Sequence, residues 1–352
     1  MATKIAITQH SPQEFVDLLV QNDCDNSKCN MLVGRTIDGI AARRLDDLKG
    51  GEYFLLIARD TTGRVVVGCN FYTKFLAVAS PSTFPSSVIA AALQTLAGYI
   101  IKELSIPIRA IGSLYGPATY ATYLQDQLVY FARELAPDVA PPERDPKPRM
   151  PVHLGVLRSS QFSSPADLPV GHEIKTLESV FHSLPDAERL AFKSNVENLF
   201  VSFSREMFDA PEDKSRDRAK AMISEYLGQG HTNGYFLYLL PTPPGSPPLV
   251  ASFLVTGRES PKVVAIRNVF VSPSHRRQGI AERTVQHACE YWLRVREKEE
   301  VCLIVETSSN ARRVYQKVGF RWDWVGWEGD DAKLGEIQGE FNWKDVEKGL
   351  WT

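Results

Sequence analysis

Strand-like and helix-like hydrophobic patterns follow one another along this chain in an order that reads twice. Alternation over residues 4–8 predicts a short strand. Ser11, Pro12 and Glu14 then mark the start of a helix running to about Asn22, with proline at the first helical position. A second helical pattern spans roughly 31–48. Residues 51–60 and 64–79 are rich in β-branched and aromatic side chains and flank a Thr-Thr-Gly turn, which predicts a hairpin of strands. Residues 86–104 read as a helix, 108–113 as a strand and 118–135 as another helix.

A proline-rich stretch from Pro137 to Pro151 has no apolar period and reads as a semi-rigid connector. Residues 153–157 are expected to form a strand that closes the first unit. The order then resumes with a strand beginning at 173–176, a long helix over 186–208 and a charged stretch leading into a helix that ends near Leu227. Residues 235–240 and 249–257 form a hairpin around the proline-rich turn at 241–248, and 263–271 complete three antiparallel strands. Beyond them an apolar run breaks at Pro273, passes through Arg276, Arg277, Gln278 and Gly279, and becomes helical. A second buried strand over 301–305, a polar cap at 306–310 and a helical stretch over 311–320 follow.

The repetition holds at one offset. Ser80-Pro81-Ser82 and Ser272-Pro273-Ser274 are 192 residues apart, as are Tyr123 and Tyr315, and the same shift lays the 108–113 strand on 300–305. Two copies of one fold are expected, with units at 1–150 and 151–352. The copies differ at one place. Arg276, Arg277, Gln278 and Gly279 correspond to Phe84, Pro85, Ser86 and Ser87, and Asn310 to Ala118. The first copy lacks the charges and the glycine, and Pro85 has no N–H to offer.

That difference has chemical content. A strand, a basic loop with a glycine and a helix N-terminus together suit a phosphate-bearing ligand. The first turn of a helix presents unpaired N–H groups at the positive end of its dipole, and a glycine allows close approach and positive φ. The spacing Arg276-x-x-Gly279-x-Ala281 resembles the R/Q-x-x-G-x-G/A signature of the GCN5-related N-acetyltransferases (GNAT superfamily). Asn310, Tyr315 and Gly319-Phe320 resemble its second landmark. The resemblance implies an α/β (α+β) chain of two tandem acyl-CoA N-acyltransferase folds, each a mixed, mostly antiparallel sheet flanked by helices. It also implies that the first copy is degenerate and that acetyl-CoA binds in the second. Arg276, Arg277, Gln278, Gly279, Ile280 and Ala281 would hold the pyrophosphate. Backbone groups of Val269, Phe270 and Val271 would hold the pantetheine arm between strands 263–271 and 301–305, with Asn310 and Tyr315 also at the cofactor. Tyr315 matches the position of a general acid to the leaving thiolate.

The general base is less clear. Where many members carry a carboxylate this chain has Arg267 and Asn268, so Glu306, acting through water, and His275 are both candidates. All six tryptophans follow Tyr291. Residues 320–324 and the strand at about 336–343 are expected either to form an aromatic acceptor wall or to pack on a helix or the first copy. The resemblance points to N-acetyl transfer to an amine of a small molecule or peptide. A protein that binds acyl-CoA as a signal without turning it over is the alternative. A P-loop nucleotide site is disfavoured because G-x-x-x-x-G-K-[S/T] is absent.

Composition narrows the setting. An apolar content of 43% with 23% charged residues is that of a soluble globular protein, and 352 residues suffice for two cores. A net charge of −2 gives no general attraction to nucleic acid or anionic membrane. The first residues lack an apolar signal core, and no window nears the roughly 20 apolar residues of a membrane span. Five scattered cysteines, without a His cluster near Cys24 and Cys29, fit reduced structural thiols, a cytoplasmic location and no metal. A monomer or homodimer is expected.

Overall fold

Strand pairing runs without a break from one half of the chain to the other. The computed structural model of the chain describes residues 4–42, 53–72, 74–81, 84–145, 150–227, 234–243, 245–322 and 337–344. The first half contributes β1 (Ala6–Gln9), α1 (Pro12–Gln21), α2 (Val33–Ala41), β2 (Tyr53–Arg59), β3 (Val65–Tyr72), β4 (Phe75–Ala79), α3 (Ser86–Gly98), β5 (Ser113–Pro117), α4 (Ala118–Leu135) and β6 (Met150–Arg158). The second contributes β7 (Glu173–Thr176), α5 (Leu177–Ser183), α6 (Asp186–Phe208), α7 (Glu212–Leu227), β8 (Tyr235–Leu240), β9 (Leu249–Gly257), β10 (Val263–Val271), α8 (Ile280–Glu290), β11 (Glu300–Glu306), α9 (Ala311–Val318) and β12 (Ile337–Asn342). Local chemistry sets many of these ends. At α1 the Glu14 carboxylate accepts from the Ser11 backbone N–H at 3.0 Å, and Pro12 opens the helix.

All twelve strands form one sheet, ordered β1-β2-β3-β4-β5-β12-β6-β11-β10-β9-β8-β7. Read inward from its edges the order is symmetric. β4 and β5 are parallel, β10 and β11 are parallel, and the other neighbours are antiparallel. The mixed, mostly antiparallel sheet expected from the sequence does form, but it is one sheet and not two. Its middle is an exchange. β6 follows the first half in the chain yet pairs with β11, while β12 follows the second half yet pairs with β5. The expectation that residues 153–157 close the first unit is therefore corrected. An alternating strand fits either open edge equally well, so its partner is settled by tertiary structure.

A second correction concerns β5. The apolar run expected to be a strand over 108–113 is a 3₁₀ turn at Ile108–Ala110, and pairing begins only at Ser113. Pro107 fixes the turn's entry, and Ile108 and Ile111 bury themselves against α3 and α4. The 192-residue offset survives up to this point. Both α3 and α8 end in a π-helical turn, at Tyr99–Glu103 and Tyr291–Val295, and then the copies fall out of step.

Helices cover both faces. On one face α3 and α4 pack through Leu93, Leu96, Leu124 and Leu128 in the first half, and α8 and α9 pack through Val285, Cys289 and Val318 in the second. On the other face lie α1 and α2, and the α5–α7 group, which the sequence reading anticipated except for the short α5. Phe341 and Trp343 at the end of β12 join the first-half core, so packing on the first copy is the reading that holds for them. In the expected aromatic strand at 320–324, Arg321 bridges to Val156 and Trp322 packs buried over Gly155, while 323 and 324 lie outside the described residues. The five cysteines are buried free thiols, and no described helix is long and apolar enough to cross a membrane.

The α1–α2 region of the first half reaches across onto the second. Ser27 donates from its N–H and hydroxyl to Glu300, Asp25 accepts from the Lys262 N–H, and Asn30 and Asp38 clasp the backbone of Arg258 from both sides at 2.8 and 2.9 Å. A Cβ on Gly34 would overlap the Arg258 carbonyl oxygen. Gly34→Val should therefore destabilise the whole molecule by about 1–3 kcal/mol through overpacking. Calorimetry should show one cooperative transition at lower temperature. Two separated transitions would mean that the halves unfold independently.

Candidate functional site

The parallel pair at the centre of the second half comes apart. β10 pairs with β11 only over residues 263–266 with 300–303, and then runs on for residues 267–271 with no β11 partner. The cause is local. A register shift against β9 between Ile266 and Asn268 puts a bulge at Arg267, and a bulge bends its strand away from the ladder. β11 stays straight because β6 pairs along its entire other edge, from Glu300 to Glu306. In the first half β4 pairs with β5 at Phe75, Leu76 and Ala77, the positions that correspond to 267–269. The first half is thus paired over three positions where the second is open, and it parts only at Val78 and Ala79.

The loop beyond β10 is built around two left-handed residues. After a 3₁₀ turn at Pro273–His275, Arg277 has φ of +62° and Gly279, the N-cap of α8, has φ of +74°. A Cβ at Gly279 would meet only the mobile end of Arg283 at 2.9 Å, so conformation rather than room requires the glycine. The first turn-closing bond of α8 runs from the Arg283 N–H to the Gly279 carbonyl at 3.1 Å. The amides before it head the helix as donors aimed past its end. Gln278 is exposed, Ile280 is buried and Ala281 is half-buried.

The two arginines differ. Arg276 is tied back: it donates to the Val271 carbonyl at 3.1 Å and to Glu206 of α6 at 2.6 Å, with its guanidinium over the Phe270 ring. Arg277 forms no side-chain bond among the described residues. His275 bonds the Ser274 hydroxyl at 3.0 Å and stays in the loop. Val269 packs towards α8 and α9, Phe270 into the core under α6, and Val271 beside Ile280.

Across the gap, Asn310 is the N-cap of α9 but its exposed side chain makes no cap bond. The neighbouring Ser309 hydroxyl accepts from the Ala311 N–H at 3.2 Å instead. Tyr315 is half-buried on α9, packed edge-to-face on Phe320 with ring centroids 5.9 Å apart. Its hydroxyl forms no hydrogen bond among the described residues, and burial pushes the phenol up to about 12. Val305 of β11 shares the Tyr315 core, so strand alternation turns the exposed Glu306 to the opposite face. Tyr315 and Glu306 thus flank the parted strands from opposite sides.

Reading the sequence alone missed Arg258. It follows Gly257 in an ordinary-looking hairpin turn, and nothing nearby in sequence marks it. Its φ of +53° and its contacts with Asn30 and Asp38 exist only in the assembled fold.

With this geometry in view, residues 250–322 match the family model of the acetyltransferase (GNAT) domain. No curated protein matches the chain. Among solved structures, a Drosophila protein aligns with a TM-score of 0.54 at 11% identity, covering 97% of this chain and 99% of its own, and shares the fold. A tandem GNAT protein from the clavulanic acid biosynthesis pathway aligns at 12% identity and a TM-score of 0.47, over 96% and 97% of the two chains. A GCN5-related N-acetyltransferase from Sphaerobacter thermophilus aligns at 15% identity and 0.46, over 98% and 97%.

The raised phenol has a measurable consequence. Tyr315 titrates near 10 when unfolded and near 12 when folded, so its contribution to stability is full below pH 10 and is lost as pH rises through 12. Urea unfolding between pH 9 and 12 should show a shallower alkaline loss in Tyr315→Phe, by on the order of 2 kcal/mol. Parallel curves for the two proteins would mean the phenol is not desolvated.

Proposed function

We propose that this chain, whose residues 250–322 match the acetyltransferase (GNAT) domain model, is a member of the GNAT superfamily that transfers an acetyl group from acetyl-CoA to an amine at one site per chain. The observation that carries this reading is that a β10 edge left without a β11 partner from 267 to 271, a loop with left-handed Arg277 and Gly279, and Tyr315 occur together in the second half, whereas β4 passes its last β5 partner only at Val78 and Ala79. The helix-heading amides from Gly279 to Glu282 would bind the pyrophosphate, with Arg277 adding charge. For Arg276 to help, it would have to leave Glu206. The unladdered edge of β10 at Val269, Phe270 and Val271 would hold the pantetheine arm and polarise the thioester carbonyl. Asn310, exposed at the head of α9, would lie beside the same arm.

In the transfer, the amine nitrogen bonds to the thioester carbon through a tetrahedral intermediate, the C–S bond breaks and the sulfur leaves as thiolate. Tyr315 would give that sulfur a hydrogen bond. A phenol at about 12 facing a thiol of about 8.5 is some 3.5 units mismatched, roughly 5 kcal/mol against complete transfer. Tyr315 therefore begins as a hydrogen-bond donor and completes the transfer as the proton shed by the amine becomes available. Glu306, on the other face, would take the first proton of the incoming ammonium through water, leaving the second, lost from the tetrahedral intermediate, to restore Tyr315, and His275 is disfavoured by its bond within the loop. A non-transferring acyl-CoA binder is the second reading, favoured by Arg267 standing where a base would serve.

Calorimetry should give one acetyl-CoA per chain. Gly279→Val should abolish the binding, because a β-branched residue at φ of +74° is strained. A stoichiometry of two, or retained affinity, contradicts the site. Tyr315→Phe should keep acetyl-CoA affinity and fold but lower turnover by about 10²–10⁴-fold. Unchanged turnover would remove Tyr315 from the chemistry. Tight binding of acetyl-CoA by the wild type with no turnover of any amine would favour the second reading.

A further inference from the structure

The face of the parted strands opposite α8 and α9 carries two arginines that no described ion pair neutralises. Arg267 sits at the bulge where β10 leaves β11. Arg258 sits in the β9–β10 turn, and burial, then the nearby charge of Arg267, hold its guanidinium below its ordinary value, against Tyr115, Asp38 and Cys302, which favour the charged form. Those neighbours fix its place. Tyr115 belongs to the core under α1 and α2, and Cys302 packs with Val263 and Ala265 on the same side of the sheet. Among the described residues neither guanidinium forms an ion pair or a hydrogen bond.

The arrangement is held firmly. The Arg258 backbone is clasped by Asn30 and Asp38 and pressed by Gly34, so the first half fixes an arginine of the second. Lys298 ties the same turn down from beneath, donating to the Ser260 carbonyl at 2.6 Å and pairing with Glu259 at 3.0 Å. A guanidinium held in a buried setting beside a second, exposed one is costly unless an anion completes the pair. Asp38 supplies one negative charge, already engaged by the Arg258 N–H, so among the described residues beside the two guanidiniums one positive charge is left before Glu306, further along the face, is counted. Planar guanidinium forks match a carboxylate. By alternation from Cys302 and Ile304, Glu306 lies on this same face and would favour an ammonium group.

Resting on the acetyltransferase reading above, we propose that the acceptor is an amine that carries a carboxylate, bound by Arg258 and Arg267 with its nitrogen towards Glu306 and the parted strands.

The test is a matched panel with the full chain and acetyl-CoA: L-glutamate, 4-aminobutyrate and L-lysine, each against the amine in which every carboxylate is a carboxamide, with phosphoethanolamine as a phosphate arm. Carboxylate-bearing amines should be acetylated at least tenfold more efficiently than their carboxamides. Arg267→Gln, at an exposed position, should raise their KM about 10–100-fold, the worth of a charge-assisted hydrogen bond, with kcat changed far less. It should leave the carboxamides and acetyl-CoA affinity unchanged. Arg258→Lys keeps the charge but loses the fork and should act in the same direction. Equal use of both members of each pair, an equal effect of Arg267→Gln on both, or preference for phosphoethanolamine overturns the inference and leaves the transferase intact. If nothing is turned over, calorimetry of the same amines on the acetyl-CoA-loaded protein decides. Carboxylate binding that Arg267→Gln removes upholds the inference while the transferase reading falls, and no binding overturns it.

Discussion

The parting of β10 from β11 after Ile266 is the feature on which the rest of the molecule depends. Backbone donors and acceptors along residues 267–271 lose their ladder there, and each such group costs about 1–3 kcal/mol if it is buried without water or a ligand. The gap must therefore be wet or filled, and it must be propped. The prop comes from the other half of the chain. β6 holds β11 along its full length while β9 holds β10 on its outer side, so the two strands are free to diverge without unravelling the sheet.

This gives the first half a use that does not require it to bind anything. Its own parallel pair stays joined at Phe75, Leu76 and Ala77, and Pro85, which has no N–H, caps α3. What it supplies is structural reach: β6 at the centre of the sheet, and the α1–α2 region clamped over the β9–β10 turn. The exchange of β6 and β12 makes that supply obligatory, because each half would otherwise present an unpaired edge beside its parallel pair. Ser113 illustrates the coupling: its hydroxyl bonds Glu340 and Asn342 of β12 at 2.9 Å inside the first-half core.

Much of this was legible locally and little of it globally. The bounds of α4, α6, β8, β9 and β10 fall where apolar period and turn residues place them, because each is set by neighbours a few residues away. The α8 loop was legible for the same reason, since a glycine after two arginines carries its own geometry. What could not be read were relations between distant segments. The strand at 108–113 looked paired because a buried apolar run is consistent with strand or turn, and Pro107 and packing against α3 decided for a turn. The destination of β6, the aromatic end of β12 inside the first core, and Arg258 beneath α2 all depend on contacts across more than a hundred residues.

The two faces of the parted strands then divide the chemistry by charge. On the α8–α9 face the helix end and Arg277 would, in the proposed transfer, favour phosphate, and Tyr315 lies in a partly apolar setting that raises its phenol. On the opposite face a base is missing from the bulge, and Arg267 stands in its place. A cation there would repel an incoming ammonium, so on its own it argues against amine transfer. It ceases to do so once the acceptor brings its own anion. A carboxylate held by Arg258 and Arg267 cancels the local charge, and Glu306, further along the same face, is left to draw the nitrogen and receive its proton. The position that weakens the simplest reading of the chain is, on this view, the one that selects its substrate.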